Sequence, residues 1–519
     1  MNSAVRHRSN LRDEEQKPIL VSAGMRLTDL LAGTEPLKVS GPSEAEITSL
    51  AYNSQKACPG TMFFALRGEK ADGNAFVPDA IEHSAIAIAS ELAAPAEFQG
   101  NVTWVQVRNS RRALATVAAN FYHRPADALD LVAVTGTNGK TTITYLVDSI
   151  LRAAGRVTGL LGTIAYRTPK GTRKAPNTTP ESLDFQGILA EVRAAGGTHA
   201  VLEASSHALV MDRLWGCRFA AAIFTNLTRE HLDYHKTFEN YFAAKRILFE
   251  GTGAGAPAAG IVNIDDPYGK QLVGLARQTL TYGLKNGAQL TAHKFDLSFS
   301  GLQFTAQTPK GNIEVQSPLV GRINVYNILA AIGAGLALGF SLETIQAGIR
   351  QLESVPGRFQ RIDEGQPFLV VVDYAHTDDA LRNLITTARE LNPNGRIIIL
   401  FGAGGDRDRT KRPLMGEAAG SLSDLVVLSS DNPRTEDPLR IINDVVVGLQ
   451  KVNGKYRIEP DRERAIELAM DEAKPGDMVL LAGKGHENCQ IMRDRTFEFD
   501  DREMARLALR RRGYNKAAQ

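Results

Sequence analysis

Ten consecutive residues, Ala133-Val134-Thr135-Gly136-Thr137-Asn138-Gly139-Lys140-Thr141-Thr142, place glycines, one lysine and paired hydroxyls in an order that suits a polyphosphate. Glycines let backbone N–H groups close on phosphate oxygens, and a helix opening at Lys140 adds its partial positive charge. Lys140 can then reach the β- and γ-phosphates while the Thr141 hydroxyl holds Mg²⁺. The match to the full phosphate-loop pattern is partial, because Val134 stands where that pattern has glycine.

Other candidates lie where strands are expected to end, the place at which open α/β sheets bind ligands. Glu203 closes the run from Thr198, and His231 follows the apolar run Ala220 to Phe224. Both can converge on the metal that Thr141 approaches, although Mg²⁺ prefers oxygen, so an imidazole points to a second cation or to Mn²⁺. On spacing alone the same two residues also read as ordinary loop polars. Lys245 falls inside the apolar stripe Phe238, Tyr241, Phe242, Leu248 and Phe249, where an unpaired ammonium is costly. It is either a lysine whose head snorkels to water or a functional lysine aimed at the phosphate site. Asp373 ends another apolar run and suits a ribose hydroxyl. Ser205-Ser206-His207 lacks the G-x-S-x-G elbow of a hydrolase, and Gly402-Ala403-Gly404-Gly405 fails the G-x-G-x-x-G spacing of a dinucleotide site.

These residues need a scaffold that alternates strands and helices. Leu129, Leu131, Val132 and Val134 form a buried strand before the glycine loop. Ile143, Leu146, Val147, Ile150, Leu151 and Ala154 follow at helical spacing, closed by Gly155. Repeated strand and helix patterns predict an α/β protein of three domains. These are a small N-terminal α/β domain over 21–124, a central ATPase-like parallel sheet over 125–354 and a C-terminal Rossmann-like domain over 355–519. A disordered leader occupies 1–20. Read alone, Ser54 and Lys70 are surface turn residues. At 519 residues a single core is excluded, and a net charge of +2 supplies no basic field for nucleic acid or anionic membrane. The three cysteines, Cys58, Cys217 and Cys489, show no pairing framework and fit a reducing cytoplasm. The longest charge-free apolar stretch, Ile328 to Phe340, is too short to cross a bilayer and reads as a buried helix.

Taken together and in order, the strings Gly136–Thr142, Asn177–Pro180, Glu203–His207, His231–His235, Gly321–Asn327, Asp373–His376, Asp431–Arg434 and Gly483–Glu487 make this chain resemble the Mur ligases. Those are the ATP-dependent amino-acid ligases of peptidoglycan precursor synthesis, and the likeness runs over roughly residues 25 to 510. The resemblance implies that Gly136, Thr137, Asn138, Gly139, Lys140, Thr141, Thr142, Asn324, Arg358 and Asp373 contact ATP. It places Tyr52, Ser54, Glu69, Lys70 and Ala71 at the UDP end of a UDP-muramoyl-dipeptide, with Asn177, Thr178, Thr179, Ser205, Met211 and Arg213 along the muramoyl-dipeptide. It makes Glu203 and His231 metal ligands beside Thr141, and Lys245 a lysine carried as a carbamate (N6-carboxylysine), which removes the ammonium and supplies anionic oxygens for Mg²⁺. Lys140, Glu203, His231, Lys245 and Arg358 are then the catalytic set. Arg407, Asp431, Asn432, Pro433, Arg434, Gly483 and Glu487 line the pocket for the incoming amino acid. The Asp-Asn-Pro-Arg form resembles members that take meso-diaminopimelate. Arg434 and Arg407 can hold the distal carboxylate that lysine lacks, and Glu487 its ammonium. Four positions depart from the family pattern: Gln55 for arginine, Met211 for glutamine, Gln360 for glutamate and Asp378 for proline.

The expected activity is amide formation through an acyl phosphate, with ATP as co-substrate and Mg²⁺ or Mn²⁺ as cofactor. The expected protein is a cytoplasmic monomer that takes small-molecule substrates and neither nucleic acid nor membrane. Alternatives are a lysine-adding ligase, a folylpolyglutamate-type ligase, or an ATP-binding switch without ligase chemistry.

Overall fold

The structure, a computed structural model, describes residues 24–68, 71–95, 102–285 and 287–515. The expected leader and the turn residues Glu69 and Lys70 lie outside the described residues.

The strand Asp130–Thr135 sits inside an eight-stranded sheet, between His199–Glu203 on one side and Ala221–Phe224 on the other. From Thr158–Leu161 across to Gln278–Tyr282 these strands are parallel, and the hairpin Ala165–Thr168 with Gly171–Lys174 adds an antiparallel edge. Strands buried on both faces need continuous apolar runs, because helices cover each side. Val132 and Val134 pack toward the helices Lys140–Ala153, Ile323–Ala337 and Leu342–Gln351. Leu131 and Ala133 pack the other way, toward Ser182–Ala194 and Phe238–Glu250. The apolar stretch beginning at Ile328 is indeed a buried helix.

A three-stranded antiparallel sheet, Thr291–Ser298, Gly301–Thr308 and Gly311–Ser317, follows the parallel sheet; the chain reading had no element there. The C-terminal region forms a six-stranded sheet in the order Gln360–Ile362, Leu369–Asp373, Met478–Ala482, Ile397–Phe401, Leu425–Leu428 and Tyr456–Ile458, parallel except at its first strand. The N-terminal region contributes a five-stranded mixed sheet. Ser54, expected on its own spacing at the surface, is buried instead. Asn53 Oδ1 caps the short helix Ser54–Lys56 by accepting from Gln55 N at 3.0 Å, which turns the first residue of that helix inward.

Specific polar contacts hold the three regions together. Tyr52 donates its hydroxyl to Asp184 at 2.6 Å, and Arg111 and Arg112 reach Glu181 and Asp212. On the other side Asn138 donates to Asp379 at 2.8 Å and Arg358 to Thr141 at 3.1 Å. Among the described residues no helix is long and apolar enough to cross a membrane.

The C-terminal sheet carries a fully buried ion pair, with Arg462 Nε 2.8 Å and Nη2 2.7 Å from the Asp501 carboxylate. Removing one partner of such a pair strands the other charge in the core. Asp501→Ala is expected to lose about 3–5 kcal/mol of stability. The double replacement Arg462→Met/Asp501→Leu should recover most of that loss. Urea unfolding of the three proteins checks both expectations.

Candidate active site

The glycine loop takes its shape from two close approaches. Gly136 has φ 142°, and a Cβ there would lie 1.8 Å from Thr225 Oγ1 at the end of the next strand. Gly139 has φ 91°, and a Cβ there would lie 2.6 Å from Asn327 Oδ1. Thr137 N donates to Asn226 O at 2.8 Å and Asn138 N to Asn226 Oδ1 at 3.0 Å, so the loop is anchored on the neighbouring strand end.

Two lysines converge on this loop. Lys140 Nζ donates to Gly136 O at 3.0 Å and to Thr137 O at 2.8 Å. Lys245 Nζ donates to the same Gly136 O at 2.8 Å and lies 4.3 Å from the centre of the Tyr241 ring. The helix Phe238–Glu250 therefore buries the Lys245 head and does not let it reach water. Burial and the neighbouring Lys140 hold Lys245 well below the usual lysine range, and burial also lowers Lys140.

Glu203, at the end of His199–Glu203, is buried and accepts from Thr141 Oγ1 at 3.0 Å and Thr163 N at 2.8 Å through Oε1. Its Oε2 lies 3.1 Å from the Thr163 hydroxyl. Burial alone would raise the Glu230 carboxyl, but His231, His376 and Lys140 hold it well below the usual carboxylate range. His231 has φ 56° and packs its ring against His207 at 4.8 Å. Desolvation in the cleft pushes its imidazole down to about 4, which leaves a neutral ring with a free lone pair.

Thr137 to Thr142, Glu203, His231, Lys245, Asn324, Arg358 and Asp373 all line one cleft of about 300 Å³, together with Thr178 and Ser205. Arg358 enters it from the C-terminal side, with its guanidinium 4.6 Å from the Tyr374 ring centre. Asp373 already accepts from Phe359 N at 2.6 Å and Ala375 N at 2.8 Å. Asn324 donates to Val320 O at 2.7 Å and accepts from Asn327 at 2.8 Å.

The remaining candidates sit outside this cleft. Tyr52 is engaged with Asp184, Ser54 is buried, and Ala71 is exposed. The Asn177 carbonyl accepts from the Tyr166 hydroxyl. Thr179 Oγ1 donates to Glu203 O at 2.7 Å, and Arg213 donates to Thr179 O at 2.8 Å beside Met211 Sδ at 3.8 Å. In the C-terminal region Arg434 (φ 51°) donates to Gly405 O at 2.7 Å, Arg407 to Asp406 O at 3.4 Å, and Asn432 to Glu487 Oε2 at 2.9 Å. Burial raises Glu487, with Asp431 adding to it. Burial would also raise Asp431, but Lys484 and Arg462 lower it. Pro433 lies against Gly405, where a Cβ would sit 1.9 Å from the Pro433 carbonyl oxygen, and Gly483 N donates to Asp373 O at 3.1 Å.

Sequence reasoning missed Glu230, Thr163, Tyr374, Asp379 and Lys484. Tyr374 and Lys484 lie inside quoted motifs and Glu230 directly precedes one, so motif membership and adjacency are the available signals. Among the described residues no three His, Cys, Asp or Glu side chains gather as a metal site. The Thr141 hydroxyl and the Glu203 carboxylate, in direct contact, do present the oxygen donors that Mg²⁺ favours.

Comparison with known proteins agrees with this arrangement. The family model described as "Mur ligase middle domain" matches residues 134–335. That of the "Mur ligase, glutamate ligase domain" matches 357–485, and that of the "Mur ligase family, catalytic domain" matches 46–122. A UDP-N-acetylmuramoyl-L-alanyl-D-glutamate–2,6-diaminopimelate ligase of Solibacter usitatus is 51% identical over 95% of this chain and 100% of its own length. One of Geobacter metallireducens is 43% identical over 94% and 98%. A solved structure of a ligase with that name superposes with TM-score 0.66 at 32% identity, over 95% of this chain and 100% of the other. A folylpolyglutamate synthase of Mycobacterium tuberculosis, at 16% identity and TM-score 0.59 over 72% and 93%, shares the fold.

Gly136→Ala puts a methyl group into Thr225 in a backbone conformation that alanine resists. The variant is expected to weaken ATP binding at least about a hundredfold, because the loop N–H groups move off the phosphates. Calorimetric titration with a non-hydrolysable ATP analogue measures it; unchanged affinity would show that the loop does not grip the triphosphate.

Proposed function

The chain belongs to the Mur ligase family and is an ATP-dependent ligase, and on that premise we propose that it joins meso-diaminopimelate to UDP-N-acetylmuramoyl-L-alanyl-D-glutamate in peptidoglycan precursor synthesis. The observation that carries the substrate assignment is the 51% identity to a diaminopimelate ligase across nearly the whole chain. Arg434 of the Asp431–Arg434 string and Arg407 near it supply the chemistry for a distal carboxylate. The division into 21–124, 125–354 and 355–519 is proposed to follow substrate, with the UDP-muramoyl-dipeptide, ATP and the amino acid taken in that order. Tyr52, Ser54, Glu69, Lys70, Ala71, Asn177, Thr178, Thr179, Ser205, Met211 and Arg213 belong to the first substrate in this reading.

In the proposed first step the D-glutamyl γ-carboxylate attacks the γ-phosphorus of ATP. A carboxylate O–P bond forms, the bridging O–P bond breaks, and ADP leaves. Lys140 and Arg358 stand where negative charge spreads over the transferring group, and a fixed cation in a desolvated cleft stabilises that charge without reorganising. In the second step the neutral diaminopimelate amine attacks the acyl carbon, and the tetrahedral intermediate collapses by expelling phosphate. No side chain becomes covalently attached to substrate, so positioning and charge account for the rate.

Thr141 and Glu203 would hold Mg²⁺, with His231 and Lys245 beside them, and the ion would neutralise phosphate charge there. Lys245 is proposed to carry a carboxyl group on its nitrogen. Burial favours its neutral amine, which is the form that adds CO₂ and releases a proton to solvent, and the product would set a negative group beside the Lys140 ammonium.

Two outcomes follow. With ATP, Mg²⁺ and the UDP-muramoyl-dipeptide, phosphate release should favour meso-diaminopimelate over L-lysine by about a hundredfold in kcat/KM, the value of a charge-assisted carboxylate contact. Equal use of lysine would reject the substrate assignment. Lys245→Ala should lose turnover by about a thousandfold or more, and added bicarbonate should not restore it. Full activity in that variant would remove Lys245 from the chemistry.

A further inference from the structure

Lys484 is a fully buried cation that the proposed chemistry leaves unused. Its Nζ donates to Asn432 Oδ1 at 3.0 Å and to Cys489 O at 2.7 Å, with Asp431 Oδ1 at 3.5 Å and Glu487 Oε2 at 3.7 Å. Burying an ammonium is expensive, and a methionine of similar length would pack without that expense.

What the ammonium does is fix an amide. Asn432 Oδ1 accepts from Lys484 Nζ and also from Ile491 N at 3.0 Å, and both partners can only donate. The Asn432 side chain is thereby locked in one orientation. Its Nδ2 turns to Glu487 and donates to Oε2 at 2.9 Å. Glu487 remains the more open carboxylate of the cluster, 30% exposed against 11% for Asp431. Its backbone is seated by the same loop, where Glu487 N donates to Lys484 O at 2.8 Å.

A diamino acid brings one amine to react and a second that stays charged. The reacting amine must be neutral, so a carboxylate beside it would hold it in the wrong form. A carboxylate that grips the other, charged nitrogen orients the molecule without that penalty.

We propose that Lys484 is a positioning residue that acts through Asn432 to aim Glu487 at the non-reacting ammonium of the incoming diamino acid. This rests on the reading of the amino-acid pocket given above.

The test is a set of KM values for all three substrates in the full-length enzyme. Lys484→Met is expected to raise KM for meso-diaminopimelate about tenfold or more, with kcat and the KM values for ATP and the UDP-muramoyl-dipeptide within about threefold of wild type. Asn432→Leu removes both the acceptor that faces Lys484 and the donor to Glu487 without adding a charge, so it should raise the same KM. Because both changes spoil one alignment, the double variant should be no worse than the larger single. An unchanged KM for the diamino acid in Lys484→Met overturns the proposal. So does a parallel rise in all three KM values with a fall in melting temperature that adds in the double variant, since that is what a purely structural lysine would give. If Lys484→Met does not fold, Asn432→Leu decides alone, and a wild-type KM there rejects the proposal. A wild-type enzyme that uses no diamino acid brings down the functional reading and this inference with it, whereas normal wild-type turnover with flat variants brings down the inference only.

Discussion

Two lysine nitrogens share one carbonyl oxygen, and the site is arranged around that conflict. Lys140 and Lys245 both donate to Gly136 O, from 3.0 and 2.8 Å. Their nitrogens are therefore within about 6 Å of each other, and at an effective dielectric near 20 two full charges that close repel by roughly 3 kcal/mol. Burial adds to the penalty, which is why both lysines are pushed below their usual range. A polyphosphate, or a negative group built on one of the lysines, would relieve that penalty. Glu203 and Glu230 line the same cleft and act on Lys140 against it.

That arrangement depends on the order of strands. Asp130–Thr135 is flanked by two strands that follow it in the chain, one on each side, so its C-terminal end opens into a crevice between diverging connections. The left-handed glycines at 136 and 139 bring the loop hard against Thr225 and Asn327, and neither contact leaves room for a side chain. Glu203 arrives in register from the strand on one side and Thr225 from the strand on the other. Moving either strand by one residue would turn those side chains to the opposite face of the sheet.

How much of this the sequence revealed depended on whether a feature was local. The phosphate loop was legible because glycine, lysine and threonine act within one turn. The anomaly of Lys245 was legible too, since a charge inside an apolar stripe stands out at helical spacing; that its head turns inward to Gly136 depends on where a second element packs. The three-stranded sheet over 291–317 was passed over although Leu302, Phe304 and Ala306 alternate and Lys310-Gly311 makes a turn. Gln303, Thr305 and Gln307 are its outward positions, and the inward set is weakened by the small Ala306 and the polar Thr308. Ser54 was misplaced because an Asx cap can turn a polar residue inward as readily as outward. Lys484 stands between two glycines in the sequence, and only the fold shows that Asn432 and Cys489 close over it.

The C-terminal sheet brings the residues proposed for the amino acid next to the phosphate cleft. Its strands Leu369–Asp373 and Met478–Ala482 are neighbours, so the loop after the first, which faces the phosphate cleft, lies beside the loop after the second, which carries Gly483, Lys484 and Glu487. The two loops are in direct contact: Tyr374 and His486 pack their rings at 4.8 Å, and a Cβ at Gly357 would lie 2.2 Å from His486 N. Arg358 extends from this same junction to Thr141. The group that reaches the phosphate site and the loop proposed to hold the acceptor amino acid are thus parts of one rigid corner. Seating that corner against the glycine loop, through Arg358 to Thr141 and Asp379 to Asn138, fixes both at once. In the proposed reaction an acyl phosphate formed before that seating would meet water in place of an amine, so the shared corner links activation of the carboxylate to presence of the nucleophile.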